Sequence, residues 1–204
     1  AMKAGADQQR TLLDVAEADA EVARLDHRSN NVPEQVEIAG LEQQIDAARN
    51  DLVSAEISAE DLDREYRRID IETTGMASRE AKDSARLTGG GLASKALSEL
   101  QHELAGLGRR RSMLEEEMLE VMERQEAVES ERKRAGATIA HLESELVGAR
   151  DRLAVINQEI DGKLTAIRER REHLVAEVPD DLYAVYEKQR AGGQLGAILP
   201  GRSL

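Results

Sequence analysis

The glycine-rich stretch TGGGLASK, residues 88–95, contains the residue types of a phosphate-binding loop. Such a loop needs a second glycine directly before its lysine and a buried strand before the loop. Here Ser94 precedes Lys95, and no apolar strand pattern comes before the glycines. The stretch is therefore interpreted as the turn at the tip of a hairpin. Its candidate tip residues are Gly89, Gly90, Gly91, Ser94 and Lys95.

Histidines and carboxylates are the other residues that could support catalysis or bind a metal. The histidines, at positions 27, 102, 141 and 173, share no helical spacing with one another. Glu99 and His102 form a single Glu-x-x-His, whereas a carboxylate-bridged metal centre in a helix bundle needs two such motifs and further inward-facing glutamates. The run EEE at 115–117 is interpreted as surface charge. The sequence thus predicts a protein that is not an enzyme, with no catalytic, cofactor-binding or metal-binding residue in this chain.

Three basic clusters lie in the second half of the chain and could contact nucleic acid or a partner protein. The candidate contact residues are Arg109, Arg110, Arg132, Lys133, Arg134, Arg168, Arg170 and Arg171. Each run would wrap around a helix, and acidic residues flank all three clusters. We therefore favour an ion-paired surface over a continuous nucleic-acid stripe.

The composition is that of long helices and not of a compact domain. The 204 residues include no Phe, Trp or Cys, 34% are charged, and the net charge is −13. A compact core of this size would normally bury several aromatic rings. The absence of cysteine excludes disulfides and thiolate metal sites within these residues. No apolar run approaches the roughly 18 residues of a membrane span, and no signal peptide opens the chain, so we expect a cytoplasmic protein without membrane contact.

Heptad periodicity predicts the fold. Steps of alternately three and four residues from Ile38 to Met76 meet apolar or aromatic side chains at eleven of twelve positions. The same steps from Leu97 to Leu174 meet apolar side chains at eighteen of twenty-three positions. A seven-residue repeat sustained over this length indicates a left-handed coiled coil. A shorter apolar stripe, from Leu12 to Leu25, predicts a helix before these two.

The helix breaks and lengths predict how the helices are arranged. Breaks are expected at 30–34, around Pro33, at the glycine tip, 88–94, and at Pro179. The helices would then span roughly 35, 80 and 120 Å. Because the first two lengths nearly add up to the third, we predict an all-α, long antiparallel coiled-coil hairpin over 2–178, with Ala1 set aside as a cloning scar. Helices one and two would lie in line and pair with one long return helix. The alternative is that helix one folds back on helix two as a local three-helix bundle.

A turn near residue 90 also predicts a register. Positions whose numbers sum to about 180 would pair across the hairpin. Arg111 would then lie opposite Ile69 and within reach of Asp70 and Glu72. Polar residues at such core positions fix the register of coiled coils at some cost in stability.

The C-terminal stretch 179–204 differs from the heptad region. Asp180 to Ala191 predicts a short helix that carries Leu182, Tyr183 and Tyr186. The apolar LGAIL that follows suits a strand, and a single strand cannot stand alone. We therefore expect the stretch to lead into a further domain.

The chain resembles the bacterial coiled-coil proteins that carry a C-terminal C4-type zinc ribbon. The resemblance rests on GGGLASKALSELQHEL (89–104), LEEEMLEVMER (114–124) and VPDDLYAVYEKQRAGGQLGAILPGRSL (178–204). The tip departs from the family's usual Asn-Pro-Lys-Glu-Leu, since residues 93–97 read ASKAL. The resemblance implies a ribbon beyond Leu204 in which two Cys-x-x-Cys pairs hold zinc in the full-length protein. It also implies that Leu182, Tyr183 and Tyr186 dock this ribbon, and they would be uncovered without it.

The resemblance implies a function as well. It favours a cytoplasmic, non-enzymatic adaptor related to transcription, which binds nucleic acid, or a protein such as a sigma factor or another transcription component, through the ribbon. The alternative from the residues alone is a structural or chaperone-like coiled-coil scaffold that binds only protein partners. An arm of a chromosome-maintenance ATPase is disfavoured because no phosphate-binding loop is present. A homodimer is left open.

Overall fold

The computed structural model describes residues 5–192, which form four α-helices. These are α1 (Ala6–Asn30), α2 (Pro33–Thr88), α3 (Ser94–Ala176) and α4 (Asp180–Ala191). The predicted all-α coiled-coil hairpin is confirmed, with α3 as the long return helix. The strand predicted from LGAIL lies outside the described residues. None of the described helices has an apolar stretch long enough to cross a bilayer.

The chain between α1 and α2 is only two residues long. Pro33 occupies the first position of α2, where its missing N–H costs no helical hydrogen bond. The Asn31 side chain donates a hydrogen bond to the carbonyl of His27 (2.8 Å), and the Gln35 side chain donates one to the carbonyl of Ser29 (3.0 Å). Val32 is buried at the junction. The break is therefore short and well bonded.

Two positive φ angles build the turn between α2 and α3. Gly90 has φ +70° and Gly91 has φ +78°, a backbone region that side chains with a Cβ rarely adopt. Gly89 donates its N–H to the carbonyl of Ala85 (2.9 Å) and so extends the last turn of α2. The three glycines thus reverse the chain, two of them at positive φ.

The described chain divides into two compact units, of which the first combines the N-terminal residues up to Leu41 with the residues from Glu145 onward. In this unit the C-terminal half of α3 pairs first with the start of α2 and then with α1. Arg152 bonds Glu37 (2.8 Å), whereas Ile160 and Leu164 form a buried cluster with Leu25. Further along α3, Arg171 bonds Asp19 (2.6 Å). The pairing partners run backwards from α2 into α1, so α1 continues the antiparallel pairing, as the in-line arrangement predicts.

The second unit covers residues 42–144 and contains the tip. Its buried centre is formed by Leu62 and Ile69 of α2 with Leu114 and Val121 of α3. In the order of an antiparallel pair, Ile69 lies level with Leu114. The predicted placement of Ile69 opposite Arg111 is therefore wrong by about one helical turn.

The ion pairs of this unit also differ from the prediction. Arg111 bonds Glu80 (2.7 Å), and Glu72 is bonded by Arg110 (3.0 Å), not by Arg111 as predicted. The physical reason is the position of the turn. Thr88 and Ser94 flank it, so its centre lies at residue 91 and every pairing shifts toward the C-terminus.

Candidate functional site

The short helix α4 packs its apolar face onto the first unit. Leu182 and Tyr186 are buried in one cluster with Leu12 and Val15 of α1 and with Val178. The expectation that these side chains would be uncovered is wrong, because α1 covers them. The role of Leu182, Tyr183 and Tyr186 in docking a ribbon stays a prediction, and among the three only Tyr183 keeps a partly exposed surface.

A polar network next to this cluster ties α1, α3 and α4 together. The Asp19 carboxylate accepts hydrogen bonds from Arg171 Nε (2.6 Å) and from the Tyr186 hydroxyl (2.5 Å). The Glu187 carboxylate accepts from Arg171 Nη2 and from the Tyr183 hydroxyl, both at 2.9 Å. Arg171 thus bridges two carboxylates on different helices. We call these five residues the α4 clamp.

The environment of the clamp shifts three pKa values. Burial lowers the pKa of Arg171, but its hydrogen bonds to Asp19 and Tyr183 outweigh burial and raise the pKa above its usual range. Burial and the hydrogen bond to Asp19 raise the pKa of Tyr186. Burial raises the pKa of Glu187, whereas the hydrogen bond from Tyr183 and the charges of Arg190 and Arg171 lower it. The lowering effects are the stronger ones, so the pKa of Glu187 lies below its usual value. All three shifts keep the clamp in its bonded protonation state at neutral pH.

Sequence reasoning missed the central residue of this clamp. Asp19 is one of many acidic residues of α1, and nothing in its local pattern separates it from Asp14 or Glu17. Its partner Arg171 belonged to a cluster singled out for nucleic-acid contact, yet only 20% of its side chain is exposed. A sequence signal did exist: two tyrosines one helical turn apart in a chain with few aromatic residues.

The structure places most residues of the predicted basic clusters among carboxylates. Arg110 pairs with Glu72, and Arg171 belongs to the α4 clamp. Arg132 pairs with Glu129 (3.7 Å). Arg134 lines an open groove together with Asp51 and Glu131.

The remaining basic residues are not brought together into one site. Arg170 lines a separate groove in the first unit with Asp14, Glu17 and Glu21. Arg109, Lys133 and Arg168 form no ion pair within the described residues. The predicted clusters therefore do not merge into a continuous basic surface in either unit.

The hairpin tip presents few groups for recognition. Gly89, Gly90, Gly91, Ser94 and Lys95 are all exposed, and only Gly89 among them takes part in a loop hydrogen bond. The positive φ angles of Gly90 and Gly91 set the conformation of the turn.

The zinc implied by the resemblance does not fit the residues of this chain. The sequence contains no cysteine, and the described helices bring together no group of three or more metal-ligating side chains.

Comparison with protein families matches residues 15–194 to the CT398-like coiled coil hairpin domain. An uncharacterized protein of Mycobacterium tuberculosis, Rv2229c, is 36% identical over 196 residues, which cover 96% of this chain and 80% of that protein. An uncharacterized protein of Mycobacterium leprae, ML1638, is 32% identical over 182 residues, which cover 89% of this chain and 78% of that protein.

Solved structures share the fold. A structure from Mycobacterium smegmatis has a TM-score of 0.80 at 37% identity and covers 96% of this chain and 81% of its own. CT398 from Chlamydia trachomatis has a TM-score of 0.63 at 18% identity, with 92% of this chain and 79% of its own chain covered. The HP0958 protein of Helicobacter pylori has a TM-score of 0.58 at 13% identity, with 93% and 78% covered. At these lower identities, the likeness of the last two shows the fold alone.

Proposed function

The chain belongs to the CT398-like coiled-coil hairpin family, and from this premise we propose that it is a non-enzymatic scaffold that binds partner proteins along its coiled coil. A cytoplasmic location is part of the proposal. The observation that supports it best is that each of the three basic clusters has an arginine paired with a carboxylate. Arg110, Arg132 and Arg171 each bond a carboxylate, which offsets part of the positive charge that phosphates would meet.

Exposed apolar side chains support the same function. Ile71 of α2 is 73% exposed and Leu119 of α3 is 65% exposed, although both lie in the middle of long helices. The grooves lined by Arg134, Arg170 and Arg132 are open to solvent, which suits contact with another protein and not the enclosure of a small substrate.

The experiment that tests this proposal is a nucleic-acid titration. Labelled single-stranded RNA and duplex DNA would be titrated with the protein between about 50 and 200 mM salt, a range over which phosphate binding weakens steeply. We expect no salt-dependent binding. Tight nucleic-acid binding that weakens as the salt concentration rises, and that is lost in the double variant Arg168→Glu with Arg170→Glu, would overturn the scaffold function. The matched control, Arg64→Glu with Arg67→Glu, makes the same charge change outside the clusters.

A second candidate is the ribbon-containing regulator that the resemblance implies. It is supported by the relatives' greater length, since the match covers 80% of the Mycobacterium tuberculosis protein and leaves a segment outside it. In this candidate the hairpin spaces a zinc-bound module that contacts nucleic acid or a transcription protein. Metal analysis of a purified longer relative tests it: zinc at one equivalent supports the ribbon, and its absence from a folded protein removes the basis for it.

A further inference from the structure

The two edges of the second unit differ in charge. On one edge, residues that directly precede the core positions form opposite-charge pairs between α2 and α3. These pairs are Arg79–Glu103 (3.0 Å), Glu72–Arg110 (3.0 Å) and Glu65–Arg124 (3.3 Å). Such pairs beside the seam of a coiled coil set its register and orientation. We call this the paired edge.

The opposite edge carries carboxylates on both helices. It consists of the residues that directly follow every second core position, such as Leu62 of α2 and Val121 of α3, and we call it the acidic edge. Its carboxylates are Glu56, Asp63 and Asp70 of α2 with Glu115 and Glu129 of α3, and Met122 of α3 lies among them. No ion pair joins α2 to α3 across this stretch in the part of the chain that the structure describes. Like charges facing each other are unfavourable, so this edge contributes nothing to pairing within the hairpin.

A groove opens along the acidic edge where a core position is small. Glu56, Glu60 and Asp63 line it together with Ala59 and Arg132. Asp63 bonds Arg67 (2.7 Å), and Arg132 bonds Glu129. Glu56 and Glu60 form no ion pair with any described residue. The groove therefore keeps a net negative charge, with an alanine at its floor.

Exposed apolar side chains lie on both helices in the same part of the second unit as this groove. Val53 and Ile57 of α2 are 52% and 55% exposed, and they lie one turn apart beside Glu56 and Glu60. On α3, Leu119 and Met122 are 65% and 45% exposed. Because Leu62 lies level with Val121, these four apolar residues fall within roughly 15 Å along the hairpin, about three helical turns.

We propose that this groove is the docking site for a basic amphipathic helix of a partner protein. The inference deepens the proposed scaffold function and rests on it. Val53, Ile57, Leu119 and Met122 would pack against the apolar stripe of the incoming helix, as in helix-in-groove recognition. Its Lys or Arg side chains would pair with Glu56, Glu60 and the carboxylates of the edge. The negative charge disfavours nucleic acid here, and a second copy of this chain, with net charge −13, is a poor match.

The test uses the whole chain and a defined probe. The probe is a labelled synthetic helix of about 20 residues, long enough to span the four apolar residues, with leucine at every third or fourth position and lysine elsewhere. A peptide of the same composition with scrambled leucine positions is its control. We expect the patterned peptide to bind with a Kd in the micromolar range, measured by fluorescence anisotropy, and the scrambled one to bind at least about tenfold more weakly.

Two pairs of variants locate the site. The double variant Glu56→Gln with Glu60→Gln should weaken peptide binding by about tenfold. The control, Glu116→Gln with Glu120→Gln, removes the same charge from the outer face of α3. It should change the affinity by less than about twofold. Leu119→Gln should weaken binding, and Met113→Gln, a neighbouring exposed side chain on another face, should not. Hydrogen exchange should show protection at 53–63 and 119–132.

Several results would overturn the docking site. One is an equal loss of peptide affinity in the two double variants that remove glutamates. Others are binding of the scrambled peptide as tight as that of the patterned one, or no binding of either peptide. The last is protection from hydrogen exchange that is confined to the paired edge. A dimer in analytical ultracentrifugation that Leu119→Gln dissociates would assign the groove to a second copy and also overturn the proposal. If any of these results is obtained and the protein does not bind nucleic acid, the docking site is wrong but the scaffold function is not contradicted. Salt-sensitive nucleic-acid binding through Arg168 and Arg170 would instead remove the scaffold function itself.

Discussion

Tyr186 donates a hydrogen bond to the Asp19 carboxylate over 2.5 Å, although the two residues are 167 positions apart in the chain. Tyr186 is 3% exposed, and Asp19 also bonds Arg171. This contact joins the first helix to the last described one. It holds the short helix α4 against the first unit, where sequence reasoning expected an uncovered aromatic surface.

Removal of the Tyr186 hydroxyl should weaken this contact. Tyr186→Phe keeps the buried ring but leaves one Asp19 oxygen without its donor, so we expect a loss of about 1–2 kcal/mol in the free energy of unfolding. Urea denaturation followed by circular dichroism measures it. Tyr66→Phe is the matched control, because Tyr66 has no hydrogen bond within the described structure, and it should change stability by less than about 0.5 kcal/mol. Equal losses in the two variants would contradict the role of the hydroxyl.

The contribution of Glu187 should depend on pH. Its pKa in the folded protein lies below its usual value, so its contribution to stability is present above the unfolded pKa of about 4.3 and is lost as the pH falls through the folded pKa. Denaturation of the wild type and of Glu187→Gln from pH 7 down to about pH 3 checks this sign. The wild type should be the more stable protein near pH 7, and the two curves should converge in acid. A difference that grows as the pH falls would reverse the assigned direction.

Leu114 tests the corrected register. It is 0% exposed and packs with Ile69, so Leu114→Ala should cost about 2–5 kcal/mol through the cavity that it leaves. The adjacent Met113 is 54% exposed, and Met113→Ala should cost less than about 0.5 kcal/mol. Thermal unfolding of both variants makes the comparison. A mild effect at Leu114 would mean that this layer is not at the centre of the second unit.

Substitution by alanine should lower the stability of the protein at a turn glycine and raise it at a glycine inside a helix. Gly91→Ala places a Cβ at φ +78°, which should cost roughly 1–2 kcal/mol. Gly75 lies inside α2, and apart from its two neighbours and the backbone of its own helix no atom lies within 4 Å of the position of a new Cβ. Gly75→Ala should therefore stabilise by about 0.5–1 kcal/mol through lower unfolded-state entropy. Thermal unfolding of the two variants gives both signs. A stabilising Gly91→Ala would show that the turn does not require positive φ.

Local sequence features predicted the helices and their ends well. The apolar stripes that start at Ile38 and Leu97 specify α2 and α3, because a seven-residue apolar repeat sustained over such lengths is compatible only with a coiled-coil α-helix. Pro33 and the glycines at 89–91 mark the breaks because their backbone properties are local. These features do not depend on which helix lies nearby.

The register was predicted less accurately, and the reason is geometric. Heptads allow antiparallel helices to slide by one turn with little change in the apolar seam, so the pairing depends on where the turn is centred. The turn is centred at residue 91, so Ile69 lies level with Leu114 and not with Arg111. Glu72 lies directly before a core position and bonds Arg110 on the same edge, whereas Arg111 occupies a core position and bonds Glu80.

By itself the sequence determined that residues 5–192 are all-α, where their helices begin and end, and that these helices pair as a hairpin, since each of these follows from period, length and backbone preference. Only the tertiary structure decided which charges meet. Asp19, Arg171 and Tyr186 come together because α1, α3 and α4 converge, and the edges of the second unit differ because the register brings unlike charges together on one side and carboxylates on the other. Coulombic and hydrogen-bonded partners depend on distance in space, which a one-dimensional pattern of similar charged residues does not specify.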